Sequence, residues 1–118
     1  MQKMAKNESS NLRVGEISGI LVLVILDKLG TARLPEIFKG LELATKKGKA
    51  PFFVGSSISQ VLQWQVRRQQ VSEKQTGHSI TYSITGEGKR VARTFRPLMR
   101  QYFPNLSKVR AHADWISA

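Results

Sequence analysis

Apolar residues between Glu16 and Leu29 fall on most sides of a helical wheel rather than on one stripe, and Gly30 follows as a natural stop. A helix of that kind belongs at the centre of a small domain, covered from several directions. Thr31 to Arg33 is a short connector with room for one strand. The pattern then narrows to one face, with Ile37, Phe38, Leu41 and Ala44 at helical spacing. Pro35 suits the first turn of this second helix, and Glu36 the positive end of its dipole. Lys46-Lys47-Gly48-Lys49-Ala50-Pro51 interrupts the periodicity and makes the link to the next helix longer than a tight helix-turn-helix turn. Phe52-Phe53-Val54 is expected to fold back onto the core and shorten that link.

Helical periodicity returns after Ser56 and Ser57, both good N-caps. Ile58, Val61, Leu62 and Val66 share one arc, while Ser56, Gln60, Gln63 and Arg67 line the opposite one. Trp64 falls off the apolar arc, where it can meet a neighbouring helix or a partner. A period of two follows. Ile80, Tyr82 and Ile84 alternate with Ser79, Thr81 and Ser83, Val71 to Gln75 forms the partner strand, and Thr76-Gly77-His78 supplies the turn. From Gly86 to Phe103 the pattern is amphipathic: Val91, Phe95, Leu98 and Tyr102 oppose Lys89, Arg93, Arg96 and Arg100. Pro97 should kink or split this helix, and Pro104 should end it. Leu106, Val109, Ala113 and Ile116 then mark a short terminal helix whose seam either contacts a second subunit or packs on its own domain. Residues 1–11 are polar without periodicity and predict a flexible arm. The pattern therefore predicts a mainly α, α+β chain: an arm at 1–11, one domain over 12–103 with a two-stranded hairpin, and a C-terminal helix over 104–118.

Charge changes the picture. The 118 residues carry 19 Lys and Arg against 8 Asp and Glu, net +11. Residues 11–44 balance four basic against four acidic side chains, whereas 45–118 hold thirteen basic and three acidic ones, a net of +10. A field of that strength, confined to the half with the polar helix and the hairpin, favours a polyanion. The polar arc of the third helix has the matching chemistry. Gln can bond adenine bidentately, Arg can fork onto guanine, and Ser can touch phosphate or either base. A solvated helix face would also be polar, but it usually carries Glu and Lys; here no acid occurs from Gly55 to Ser72. Ser56, Ser57, Gln60, Gln63 and Arg67 are the candidate base readers. Lys46, Lys47, Lys49, Arg68, Lys74, His78, Lys89 and Arg93 are candidate phosphate or hairpin contacts, and Leu106, Val109, Ala113 and Ile116 candidate dimer contacts.

Other chemistry is poorly represented. The chain has no cysteine, which excludes disulfides, thiolate metal sites and thiol catalysis. The two histidines, His78 and His112, do not make a metal site, and no cofactor is called for. No nucleophile–base, carboxylate-pair or phosphate-loop arrangement is present, so an enzyme is not expected. The longest apolar run, Ile20 to Leu26, is too short to span a bilayer, and Asp27 and Lys28 follow it without a cleavage site. A cytoplasmic, nucleoid-associated protein without membrane contact is the expectation.

A helix with a polar face followed directly by a basic hairpin is the pattern of a winged helix-turn-helix. The segment LVLVILDKLGTARLPEIFKGLE (Leu21 to Glu42) resembles the first two helices of the PadR and MarR type of transcription regulator. YSITGEG (Tyr82 to Gly88) is similar to the Y-x-L-T-x-x-G with which those families leave the wing and enter the next helix. The likeness spans roughly residues 16–100. It implies a homodimeric regulator, with the third helix in successive major grooves of double-stranded DNA and the wings flanking. The chain departs from the pattern at Gln69-Gln70-Val71, where many relatives have a Gly-Leu pair, and in having little sequence after the wing, interrupted by Pro97 and Pro104. That brevity equally fits a plasmid- or phage-type partition or replication adaptor, while the charge alone would also fit a structural or RNA-binding protein. An adaptor that binds another protein through Trp64 and the terminal seam is a third reading.

Overall fold

The computed structural model describes residues 14–45 and 57–109. Helix α1 (Val14–Leu29) occupies the centre. Six consecutive residues, Leu21 to Leu26, are at most 1% exposed, so the helix is enclosed all round, as its unstriped apolar sequence requires. It packs chiefly on α4 (Gly86–Tyr102), and also touches α2 (Leu34–Ala44), α3 (Ser57–Arg67) and strands β1 (Thr31–Arg33) and β3 (Ser79–Ile84). Gly30, at φ 87°, ends α1 and donates its N–H to the Leu26 carbonyl at 2.7 Å, the left-handed stop that glycine accepts without a Cβ penalty.

The connector after Gly30 is a strand. β1 pairs antiparallel with β3, which pairs in turn with β2 (Val71–Thr76), so the sheet order is β1-β3-β2. Ala32 opposite Tyr82 turns inward, and both are buried. Arg33 then begins α2, donating its backbone N–H to Glu36 Oε1 at 2.8 Å, with Pro35 in the first turn. Gly77, at φ 64°, takes the first place of the two-residue loop between Thr76 and Ser79, where a type II′ hairpin needs a positive φ.

Thr85 ties three elements together. Its hydroxyl accepts from Gly88 N at 3.1 Å to cap α4, and donates to the Gln69 carbonyl at 2.6 Å; its own N–H reaches the Gln70 carbonyl at 3.0 Å. The chain between α3 and β2 is thus sewn to the start of α4. Gln69 there has φ 61°, a left-handed conformation uncommon for a side chain of its kind.

Of the two outcomes expected at Pro97, a split does not occur: α4 runs continuously through it to Tyr102. Proline removes one backbone hydrogen bond, but burial of Ala92 before it and Met99 after it holds both halves against α1. After Pro104 the chain forms a 3-10 helix over Pro104–Lys108, with Val109 extended at φ −81°, ψ 118°; the rest of the expected terminal helix, 110–118, lies outside the described residues. Proline's fixed φ suits that short turn, and burial of Leu106 and Val109 pins it to the domain. The result is a mainly α, α+β arrangement of four α-helices and a three-stranded antiparallel sheet among the described residues. None of these helices is long and apolar enough to cross a membrane.

Candidate nucleic-acid interface

Helix α3 is held by one face. Ile58, Val61 and Leu62 are buried in the core, as the apolar arc predicts, and Val66 packs against it. Gln65 adds a polar tether: it is 5% exposed, and its Nε2 donates to the Gly19 carbonyl of α1 at 2.8 Å. With that side fixed, Gln60, Gln63 and Arg67 are left exposed. Their spacing of three and four residues makes them neighbours along one helix face. Ser57 opens the helix, whereas Ser56 lies outside the described residues.

Strand register divides the hairpin into two unlike faces. The pairs Ser72–Ser83, Lys74–Thr81 and Thr76–Ser79 share one face, and Val71–Ile84, Glu73–Tyr82 and Gln75–Ile80 share the other. The first face is a ladder of hydroxyls around one lysine, continued on β1 by Thr31, whose Oγ1 lies 2.9 Å from Ser83 Oγ. The second carries the hairpin's acid, Glu73, beside Tyr82. Burial first, and then the charge of Glu73, push the Tyr82 phenol above its ordinary pKa. Uncharged hydroxyls with a lysine can approach phosphate or sugar without repulsion, which a face carrying Glu73 cannot do as well.

The basic candidates separate by position. Arg68, Lys74, His78 and Lys89 are all exposed, on the turn after α3, on β2, at the hairpin loop and on α4 respectively. Arg93 is exposed too, but its Nε sits 3.4 Å from Asp27 Oδ2, while Arg96 Nη2 approaches the same oxygen at 2.9 Å. The Asp27 side chain is 4% exposed. Arg93 therefore has a structural partner inside the chain and is only partly available to phosphate. Sequence reasoning missed this cluster, though a signal existed: an acid in the last turn of a helix buried on all sides demands a cationic partner. Near the same end, burial first and then Arg96 and Arg100 lower the Lys28 pKa, and Asp27 opposes them. Arg90 is bidentate with Glu87 at 3.0 and 2.6 Å, an exposed pair of little energetic weight.

Leu106 and Val109, expected on a seam open to either role, are buried in the chain's own core. Ala113 and Ile116, like Lys46, Lys47 and Lys49, the pair Phe52-Phe53 and the arm at 1–11, lie outside the described residues. Trp64 is half exposed, off the apolar arc as its position predicts, and borders a cleft between α1, α3 and α4. Among the described residues no group of three or more acidic, histidine or cysteine side chains is placed to hold a metal. Comparison of the chain with protein-family models, with curated proteins and with solved structures finds no match, and no family is identified.

Proposed function

We propose that this chain is a winged helix-turn-helix protein that binds double-stranded DNA sequence-specifically, as a homodimeric transcription regulator of repressor type. In this reading α3 enters the major groove and the β2–β3 hairpin is the wing on the backbone or adjacent minor groove. The element order helix–strand–helix–helix–strand–strand, with the first strand closing a β1-β3-β2 sheet, supports it. The observation that carries it is the pairing of two acid-free surfaces joined by one tight turn. One is the stripe of Gln60, Gln63 and Arg67; the other is the hydroxyl face around Lys74. Gln60, Gln63 and Arg67 read base edges, while Arg68, Lys74, His78 and Lys89 position the backbone.

The test is a pull-down of sheared genomic DNA with the purified protein near physiological salt, followed by sequencing. Sharp peaks sharing an inverted repeat, with half-sites about one helical turn apart, are expected; flat coverage would refute base readout and leave an architectural or RNA-binding role. On the recovered site, Gln60→Ala and Arg67→Ala should each reduce preference over random DNA by roughly 5- to 150-fold, equivalent to about 1–3 kcal/mol per base contact. Lys74→Gln should weaken all sequences alike and flatten the salt slope by about one. An unchanged site preference in the Gln60 and Arg67 variants would show that α3 is not the reading helix.

A further inference from the structure

Strand register brings one more cation to the hydroxyl face of the sheet. Arg33 stands opposite Thr81 on β3, and Thr81 stands opposite Lys74 on β2. Arg33, Thr81 and Lys74 therefore form one row across the three strands, and Thr31, Ser83 and Ser72 form the next row on the same face. Ala32 is buried on the inner side, so Thr31 and Arg33 on either side of it are turned outward and exposed. These two rows hold two cations and four hydroxyls, with no acid and no apolar side chain among them. Charge on the edge strands β1 and β2 also guards them against pairing with other chains. The central strand β3 has no edge to guard, yet Ser79, Thr81 and Ser83 give it only hydroxyls on this side. Position in the chain concealed the grouping. Arg33 belongs to the stretch 11–44, where the charges cancel, and only its pairing with β3 sets it beside the basic hairpin.

We propose that Arg33 is a further phosphate contact of the DNA interface, so that β1 and β2 hold neighbouring phosphates of one strand from either side of Thr81. Adjacent strands lie about 4.8 Å apart, which puts the Arg33 and Lys74 backbones roughly 10 Å from each other. Both side chains are long enough to lean over the Thr81 hydroxyl between them, and a guanidinium or an ammonium with hydroxyls is the chemistry that takes phosphate. The inference rests on the duplex-DNA reading of the hairpin and extends its contact surface across the whole sheet.

The probe is a fluorescein-labelled duplex of random sequence, titrated with the full chain and read by anisotropy between about 50 and 200 mM salt. Each phosphate contact adds about 0.9 to the slope of log affinity against log salt. Arg33→Gln should flatten the slope by about one and weaken binding roughly eightfold at about 0.1 M salt. Combined with Lys74→Gln it should flatten the slope by about two, as separate phosphates require. Arg33→Lys should keep the slope, because the contact needs a charge. Arg90→Gln should keep it too, since it removes an α4 cation already bonded to Glu87. The Arg33 backbone N–H still reaches Glu36 Oε1 in every Arg33 variant, so α2 starts unchanged, which circular dichroism verifies. An unchanged slope in Arg33→Gln, with a parent that binds the duplex, would overturn the proposal and leave the DNA reading standing. Equal flattening by Arg90→Gln would show a response to net charge alone and overturn it as well. A parent that does not bind the duplex would refute the DNA reading itself and the proposal with it.

Discussion

Gly88 leaves no room for a side chain, and its replacement by alanine gives a sharp prediction. A Cβ built there would lie 2.7 Å from Ile84 Cγ1 and nearer still to the Gln70 carbonyl oxygen. Ile84 can rotate away, but the Gln70 carbonyl is backbone and is itself the acceptor for Thr85 N–H. Relief therefore means moving α4 away from the α3–β2 turn, which also strains the Thr85 cap on Gly88. Overpacking of this kind costs roughly 1–3 kcal/mol, and a clash with backbone belongs in the upper half of that range. Alanine's better helix propensity returns at most about 1 kcal/mol, less in a first turn. A net loss of about 2 kcal/mol remains, which for a chain of this length lowers the melting temperature by about 8 °C. Gly86→Ala is the matched control, since a Cβ there meets nothing within 4 Å; it should be neutral or slightly stabilising. Thermal unfolding followed by circular dichroism reads both. If Gly88→Ala melted within about 2 °C of the parent, or Gly86→Ala lost as much, the close approach of α4 to the turn would be refuted.

Three further outcomes are expected. Asp27→Asn leaves Arg96 and Arg93 without their shared carboxylate, and because both arginines keep some exposure the loss should be about 1–3 kcal/mol, below the full cost of breaking a buried pair, measured by urea unfolding. Gln69→Gly should stabilise the chain by about 1 kcal/mol, because it relieves a left-handed φ and keeps the carbonyl that Thr85 bonds; a destabilised variant in the same assay would contradict this. The raised Tyr82 pKa means that above the ordinary phenol value the unfolded chain releases a proton that the folded chain retains, so stability falls as pH rises through that region; Tyr82→Phe should flatten this part of the stability–pH curve.

Where each residue's own neighbours in sequence decide its state, the chain was readable without coordinates. The unstriped apolar run of α1 could only be enclosed, Gly30 could only end it, and the alternation from Ser79 to Ile84 could only be a half-buried strand. The stripe of Gln60, Gln63 and Arg67 followed from helical spacing once Ile58, Val61 and Leu62 were taken as core. Contacts between segments distant in the chain were not readable in this way. Asp27 claims Arg93 and Arg96 across 66 and 69 residues, and nothing near Arg93 distinguishes it from the exposed Lys89. Leu106 and Val109, which the local spacing left open between two roles, are buried in the chain's own core because the fold brings that segment against the domain. Which hydroxyls share a face with Lys74 and which share one with Glu73 was set by strand register, which pairs residues across a turn. Sequence alone determined the elements and their apolar faces, because local sterics and periodicity act within a few residues. Tertiary structure decided which charges are spent inside the molecule and which polar atoms, such as Gln65 Oε1, have no partner among the described residues, because desolvation and pairing depend on what the fold brings together.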